Sequence, residues 1–475
     1  MAQAINDTLD AAPFAGALWG LHIVNLDTGE TLYSRNADQA FVPASNVKLA
    51  TSAAALEQLG ADYRYRTRLY IDGPVEDGVL HGNLIVRGDG DPTLGGYRQR
   101  QNPTRVFRQW ADSLRAAGIR RIEGNIIGDP GPTEASAYGH GWTWDDLTHG
   151  YGAPIGGLVF NENKVDLTVQ GRGVGEPARL QLEPFDTEYV TLKNETRTVP
   201  GQAEEEEEYR REPGTNAFRV QTRVHPNAEE ETELAISDPS RYFVHSLRQV
   251  LLWEGVPVQG RAAPLDEAGL TPQYRDSTYR RVASYRSPPL SEIVQTLNRE
   301  SRNLYAEQLL RTLALEVDPD LDEDADVTTP PDAAERGREA VYETLVRAGV
   351  DTSQVELADG SGLSRQNLLS PRAVIQLLQY AWNHNDSTLQ DAFYESLPRG
   401  GQDGTLEYRY RNAGTTDVRA KTGTLSHVST LSGYVTSAQG TPLAFSLLCN
   451  HHVAEAEQVQ SAQDVVVNTL SRLSL

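Results

Sequence analysis

The stretch Pro43-Ala44-Ser45-Asn46-Val47-Lys48 decides how the chain is read. Ser45 and Lys48 are three apart, so a helix beginning here carries both side chains on one face, one turn apart. A serine hydroxyl becomes a nucleophile when a base lies within hydrogen-bond reach, and an amine can be that base once a dry site lowers its pKa. At a helix N-terminus Ser45 would also meet free N–H groups and the positive end of the dipole, which favour developing negative charge. Leu49, Ala50, Ala53, Ala54, Leu56 and Leu59 support the helix, and Gly60 is expected to stop it.

The same spacing also arises by chance in solvated helix turns. Composition favours the chemical reading. The lysines are Lys48, Lys164, Lys193 and Lys421, while arginine is abundant. A chain that uses Arg for almost every cation and keeps Lys here needs an amine it can deprotonate, which Arg cannot supply.

At 475 residues the chain is long enough for two to four domains and a sizeable core. Lys and Arg number 43 against 66 Asp and Glu, a net charge of −23. This argues against nucleic acid or an anionic membrane as partner. An acidic, lysine-poor surface suits high salt and ordinary solubility equally well. Cys449 is the sole cysteine, so no internal disulfide is expected. No apolar run reaches the roughly 18 residues of a transmembrane helix. Met1-Ala2-Gln3-Ala4-Ile5-Asn6-Asp7 lacks the basic and apolar regions of a signal peptide and reads as a mature chain with a start Met added. The 10 histidines form no His-Glu-x-x-His cluster, so no metal site is expected.

Along the chain, 5–16 reads as a short helix, and 17–26 with 31–34 as a β-hairpin leading into the Ser45 helix. Strands are expected at 66–71, 83–87 and 121–127, and a helix at 104–117. Gly88-Asp89-Gly90-Asp91 reads as a tight turn. Residues 156–235 read as a small β-rich unit with a solvated acidic run at 204–208. A helix at 240–255 and a return strand at 256–260 follow. Helices are expected at 290–297, 304–315, 333–348, 371–382 and 454–473, and strands at 419–425, 431–436 and 443–448. The alternating Asp residues of 318–326 lack the Gly and Glu of a calcium loop and read as a surface loop.

Three motifs now fit one chemistry: Ser45-x-x-Lys48, Ser301-x-Asn303 and Lys421-Thr422-Gly423. In this order they resemble the penicillin-recognising serine acyltransferases. The separation of Ser45 from Ser301 takes up more than half the chain. Class A β-lactamases place these motifs far closer and carry a deacylating Glu-x-x-Leu-Asn segment, which is not found here. The long insertion resembles class C low-molecular-mass penicillin-binding proteins, the D-alanyl-D-alanine carboxypeptidase/endopeptidase family. The resemblance extends to Gly88-Asp89-Gly90-Asp91-Pro92-Thr93-Leu94, the 142–154 segment, Pro288-Pro289-Leu290-Ser291, Leu304-Tyr305-Ala306-Glu307, Asp359-Gly360-Ser361-Gly362-Leu363-Ser364 and Gly404-Thr405-Leu406.

The resemblance implies an α/β (α+β) fold: a serine transpeptidase/β-lactamase-like domain, with an antiparallel sheet and flanking helices, interrupted by two nested, β-rich inserted domains. The catalytic domain is expected at 1–64 and 283–475, the first insertion at 65–155 and 236–282, and the second at 156–235. It also implies roles. Ser45 attacks a carbonyl and Lys48 takes its proton. Ser301 relays that proton to the leaving amine, and Asn303 holds Lys48 and a substrate amide. Lys421 and Thr422 bind a substrate carboxylate. Gly423 lets substrate approach, and the Ser45 and Thr424 amides form an oxyanion hole, with Leu425 beyond them on the same strand. Arg365 and Ser426 are candidates to grip the carboxylate of a diamino acid, and Asp129 to hold its amine. Arg302 stands where relatives often have Asp and is expected to point away from the reacting centre. The insertion, which holds none of the motifs, is expected to shape access.

The implied enzyme cleaves peptidoglycan stem peptides without a cofactor, is inhibited by β-lactam antibiotics, and is exported to the periplasm or cell envelope. A homodimer is compatible with the sequence. An esterase or β-lactamase on the same scaffold, or a catalytically silent cell-wall-binding protein, are the competing readings.

Overall fold

A computed structural model describes residues 1–14, 16–131, 137–201, 208–274, 276–315, 333–411 and 417–475. The expected surface loop at 318–326 lies outside these residues, as does the 204–208 acidic run but for Glu208, which opens a strand.

The two ends of the chain meet in one antiparallel five-stranded sheet. Its order is Val418–Leu425, Val428–Thr436, Pro442–Asn450, Leu18–Asn25, Thr31–Arg35. Alternation along each strand feeds two cores. Trp19, Leu21, Ile23, Phe445 and Leu447 face one side, under helices Ala2–Leu9 and Ala456–Ser471. Val24, Tyr434 and Ala444 face the other, under helices Val47–Leu59, Leu290–Arg299, Asn303–Thr312 and Pro371–Trp382.

The Val47–Leu59 helix is buried all round from Val47 to Leu56. A helix with no polar face belongs inside a core. Its Ala50, Ala53, Ala54 and Ala55 lie in the same core as the neighbouring helices, their small side chains allowing close packing. That enclosure is what takes Lys48 out of water. The Gly60 amide closes the helix on the Leu56 carbonyl, with φ +81°, a backbone value that glycine adopts without strain.

Two β-rich units are inserted into this domain. The first has a mixed sheet in the order Ala262–Pro264, Ile126–Asp129, Leu84–Arg87, Arg66–Ile71, Arg280–Arg286. Helices Arg105–Ala116 and Pro239–Trp253 cover it. The second carries the antiparallel sheet Arg179–Glu183, Lys164–Gln170, Glu229–Ala235 and smaller sheets beside it. Phe107, Trp110 and Phe243 of the first unit share a core with Phe160, Leu167 and Phe218 of the second, so the insertions pack as one body.

The structure departs from the sequence reading in places with physical causes. The return strand expected at 256–260 is a single bridge, Ile122 to Val258, and the strand forms later at Ala262–Pro264. The 121–127 strand is split into Arg121–Ile122 and Ile126–Asp129 around Gly124, whose Cβ would sit 2.3 Å from the Gly82 carbonyl oxygen. Strand Arg280–Arg286 was not expected. It is Arg-rich and lies at a sheet edge, so little apolar alternation marks it. The helix Ser387–Ser396 was also missed.

Candidate active site

Ala44–Asn46 forms a single tight turn leading into the buried helix, so Ser45 stands just before the first full turn and Lys48 within it. The turn is pinned from the sheet side. Asn46 Nδ2 donates to Thr430 Oγ1 at 2.8 Å and to the Lys421 carbonyl at 3.2 Å. Thr430 Oγ1 in turn donates to the Pro43 carbonyl at 2.9 Å. A Cβ on Gly423 would stand 2.8 Å from the Ser45 amide nitrogen. Only a glycine lets the Lys421 strand pass this close to the Ser45 backbone.

Lys48 is fully buried, and its Nζ lies 2.9 Å from Ser45 Oγ, 2.6 Å from Asn303 Oδ1 and 2.5 Å from the Ser361 carbonyl oxygen. As an ammonium it donates to all three. As a free amine it donates to the two carbonyl-type oxygens and turns its lone pair to the Ser45 hydroxyl. Burial pushes the Lys48 pKa down to about 7, against the opposing pull of Asp359 and then Glu307. Burial is the cause that lowers it. Lys421 is itself pushed well below its ordinary value, by burial first and then by the charge of Lys48.

Across the cleft, Lys421 Nζ donates to Ser301 Oγ at 2.8 Å and to the Thr422 carbonyl at 2.9 Å. Ser301 has φ +56°, a left-handed value rare for a residue with a Cβ, held just before the helix Asn303–Thr312. Thr422 Oγ1 donates to Thr405 Oγ1 at 2.7 Å. Thr424 is exposed and Leu425 half-buried at the end of the strand, and Ser426 is exposed in the turn just after it. Arg365 Nη2 donates to the Ser426 carbonyl at 2.7 Å, so these two candidates meet at the outer end of the strand. Among the described residues no carboxylate pairs with Arg365.

Asp129 does not join them. Its Oδ1 accepts from the Gly131 amide at 2.8 Å and its Oδ2 takes the Tyr274 hydroxyl, all within the first inserted unit. Both oxygens serve the turn and the small core around Tyr274. Arg302 turns toward the insertion, where it pairs with Glu233 at 2.9 Å and Glu162 at 3.5 Å.

Several supporting groups were not singled out in the sequence. Asp359 accepts from the Gly362 amide at 2.7 Å, the Ser364 amide at 2.7 Å and Trp142 Nε1 at 2.9 Å. Glu307 Oε1 accepts from the Gly360 and Ser361 amides at 3.0 and 2.9 Å. Together they fix the loop that offers the Ser361 carbonyl to Lys48. Asn303 Nδ2 donates to the Tyr151 carbonyl at 2.8 Å. Trp142 and Tyr151 belong to the insertion, so it buttresses the site as well as flanking it.

Glu307 and Arg311 are each 1 % exposed and pair at 3.0 Å. Glu307→Ala removes that partner from a buried guanidinium and orphans two loop amides. The expected loss is about 3–5 kcal/mol of stability, read as a lower urea midpoint with unchanged slope. A midpoint within error of the wild type would show that the loop holds its shape without this carboxylate.

A serine bonded to a buried amine, faced by a second serine–lysine contact from the edge strand of an antiparallel sheet, is the arrangement of a serine acyl-transfer enzyme of the penicillin-recognising class. The model of the D-Ala-D-Ala carboxypeptidase 3 (S13) family matches residues 1–472, and the chain belongs to that family of peptidases. It is 31% identical over 468 residues to a D-alanyl-D-alanine carboxypeptidase of Actinomadura sp. (strain R39), covering 96% of this chain and 81% of the relative. It is 26% identical over 458 residues to D-alanyl-D-alanine carboxypeptidase DacB of Haemophilus influenzae, covering 92% and 86%. The crystal structure of penicillin binding protein 4 from Haemophilus influenzae superposes with a TM-score of 0.80 at 23% identity over 99% of both chains. That likeness shows the shared fold, nested insertions included.

Proposed function

We propose that the chain acts as a serine D-alanyl-D-alanine carboxypeptidase/endopeptidase on peptidoglycan stem peptides and is acylated by β-lactams at the same serine. The observation that carries this is Lys48 Nζ held at once by Ser45 Oγ, Asn303 Oδ1 and the Ser361 carbonyl. This arrangement aims an unprotonated amine at the nucleophile.

In this reading Ser45 Oγ bonds to the substrate carbonyl carbon as Lys48 takes its proton. The Ser45 amide, beside Gly423, stabilises the oxyanion. Ser301, linked to Lys421, gives its proton to the departing amine as the C–N bond breaks and receives in its place the proton Lys48 took from Ser45, so Lys48 is again a free amine. Water then adds to the ester carbonyl as Lys48 takes its proton, the acyl–Oγ bond breaks, and Lys48 returns that proton to Ser45 Oγ, restoring both groups. A β-lactam follows the first half, but its opened ring keeps the amine attached. Every proton moves between side chains of this chain and water, so the reaction as written needs no cofactor.

The enzyme works where its substrate lies, outside the cytoplasmic membrane. No helix of the described residues is long and apolar enough to cross one. In the domain nesting we keep the strand Arg280–Arg286 whole with the first insertion, because it pairs along its length with Arg66–Ile71. The expected junction at 282/283 therefore moves past Arg286, to the point where the Ser287 amide bonds the Tyr65 carbonyl at 3.0 Å.

The test is to incubate the protein with a stem pentapeptide ending in D-Ala-D-Ala and with a cross-linked muropeptide dimer. Release of D-alanine from the first, or splitting of the second, supports the proposal; inertness toward both overturns it.

Arg365 sets the preference among stems in this reading. Its guanidinium can grip a diamino-acid carboxylate through two parallel hydrogen bonds. Arg365→Ala is expected to lower kcat/KM on meso-diaminopimelate peptides by about ten- to a hundredfold, while penicillin, lacking that side chain, acylates at the wild-type rate. Equal losses on both would point to damage to the site, and no loss on the peptide would remove Arg365 from recognition.

A further inference from the structure

Beside the catalytic groups lies a cleft of about 1070 Å³, larger than a single stem residue needs. One wall is the face of the sheet Arg179–Glu183, Lys164–Gln170, Glu229–Ala235. Strand alternation sends Val165, Leu167 and Val169 into the core and leaves Asp166, Thr168, Gln181, Glu231 and Glu233 lining the cleft. Thr168 is the centre of this wall, with Gln181 opposite on one side and Glu231 on the other. Tyr97, His149, Tyr151 and Arg302 line it as well, with His149 bridging Leu234 at the edge of that sheet.

The cleft is joined to the site through the chain itself. Arg302 lines it and Asn303, the next residue, holds Lys48. Tyr151 lines it and its carbonyl accepts from Asn303. Ser45, Lys48, Ser301 and Lys421 do not themselves line the cleft, so a substrate acylating Ser45 would reach it past Tyr151 and Arg302.

Its chemistry selects the occupant. The charges at its inner end neutralise one another: Lys164 pairs with Asp166 and with Glu233, and Arg302 pairs with Glu233 and Glu162. A strongly charged ligand would have to break these pairs. What remains open is hydroxyl, amide and carboxylate hydrogen-bonding capacity and the guanidinium groups of Arg100 and Arg179, with aromatic surface beside them. Tyr151 is 48 % exposed and stacks on His149 with centroids 5.3 Å apart and planes at 9°. Arg302 and Arg100 lie over the Tyr97 ring at 5.1 and 5.3 Å, so the Tyr151–His149 stack supplies the aromatic face. Flat aromatic faces take the C–H side of a sugar ring, and the polar wall takes its hydroxyls and acetamido group.

We propose that this cleft binds a neutral polyhydroxylated ligand, an N-acetylated sugar unit of the glycan strand from which the stem peptide hangs. The proposal rests on the peptidoglycan reading above and adds to it a second point of attachment. Linking the two makes the second contact intramolecular, so it should raise kcat/KM for substrates carrying both parts.

The experiment compares N-acetylglucosaminyl-N-acetylmuramyl-pentapeptide with the same pentapeptide free. The wild-type chain should favour the first by about tenfold or more in kcat/KM. Two variants test the wall. Gln181→Arg projects a long charged side chain from an exposed strand position, and the double variant Thr168→Ala with Gln181→Ala removes neutral hydrogen-bonding groups. Both should bring the ratio close to one, with free-pentapeptide hydrolysis and penicillin acylation unchanged. A wild-type ratio of one, or a ratio that survives both variants, overturns the proposal. So does a preference for a sugar-free cross-linked peptide dimer that the variants abolish, which would assign the cleft to a second stem.

Titration of the untreated protein with the peptide-free disaccharide supplies an arm independent of catalysis. Saturable heat lost in Gln181→Arg supports the site, and absence of heat overturns it. Failure of the peptidase reading would instead show as no reaction with pentapeptide or penicillin, whatever the titration gives.

Discussion

Ser45→Ala takes up no penicillin, whereas the wild-type chain gains one acyl group that maps to the Ser45 peptide. The prediction is sharp because the site holds two serine–lysine contacts, Ser45–Lys48 at 2.9 Å and Ser301–Lys421 at 2.8 Å. Only the first is built for attack. Lys48 is clamped by two carbonyl-type oxygens that use its N–H bonds and leave its lone pair for Ser45. The Ser45 amide lies free of any helix partner at the turn beside Gly423, where an oxyanion would form. Replacing the hydroxyl removes one hydrogen bond from a half-buried side chain, at a cost of about 1 kcal/mol. The variant should thus keep its melting transition and lose the adduct completely, by intact-mass analysis. An adduct on Ser301, or one retained by Ser45→Ala, would sink the assignment.

How much of this was legible in the sequence follows from what fixes each residue. Catalytic roles demand particular side chains at short, rigid separations, so Ser45 with Lys48 and Ser301 with Asn303 stand out. Chain order then ties them to Lys421-Thr422-Gly423. The helices were readable where apolar period and a stop residue coincide, as at Gly60. The supporting groups obey no such spacing. Asp359 and Glu307 hold one loop from positions far apart in the chain, and both stood in stretches marked only by resemblance. Trp142 and Tyr151 act from the insertion, and Tyr151 does so through its backbone carbonyl, which no sequence pattern can mark. Asp129 misled for the converse reason. An Asp before a Pro-Gly turn is equally suited to a binding site and to a turn cap, and only the Tyr274 hydroxyl and Gly131 amide on its oxygens decide between them.

Lys48→Arg should lose acylation by a factor on the order of 10³–10⁴, the scale of a general base, because a guanidinium stays protonated where the amine does not. The wild-type pH profile carries the matching signature. The active form of Lys48 is the free amine, so the acylation rate should be low at acid pH and rise with pH through a midpoint of about 7. An unperturbed lysine would place that limb near the ordinary amine value of about 10.4. With Lys421 titrating in the same pocket the midpoint belongs to the pair, and the variant separates them. If the residual rate of Lys48→Arg still rises through the same midpoint, the titration belongs to Lys421; if the limb disappears with the activity, it belongs to Lys48. A guanidinium is also bulkier than the fully buried amine it replaces, so Lys48→Met, neutral and unbranched, is the companion. It should fold, melt no lower than the wild type at neutral pH, and fail to acylate. Near-wild-type acylation by either variant would rule out Lys48 as the base and leave its enclosure by Asn303 and Ser361 without a catalytic purpose.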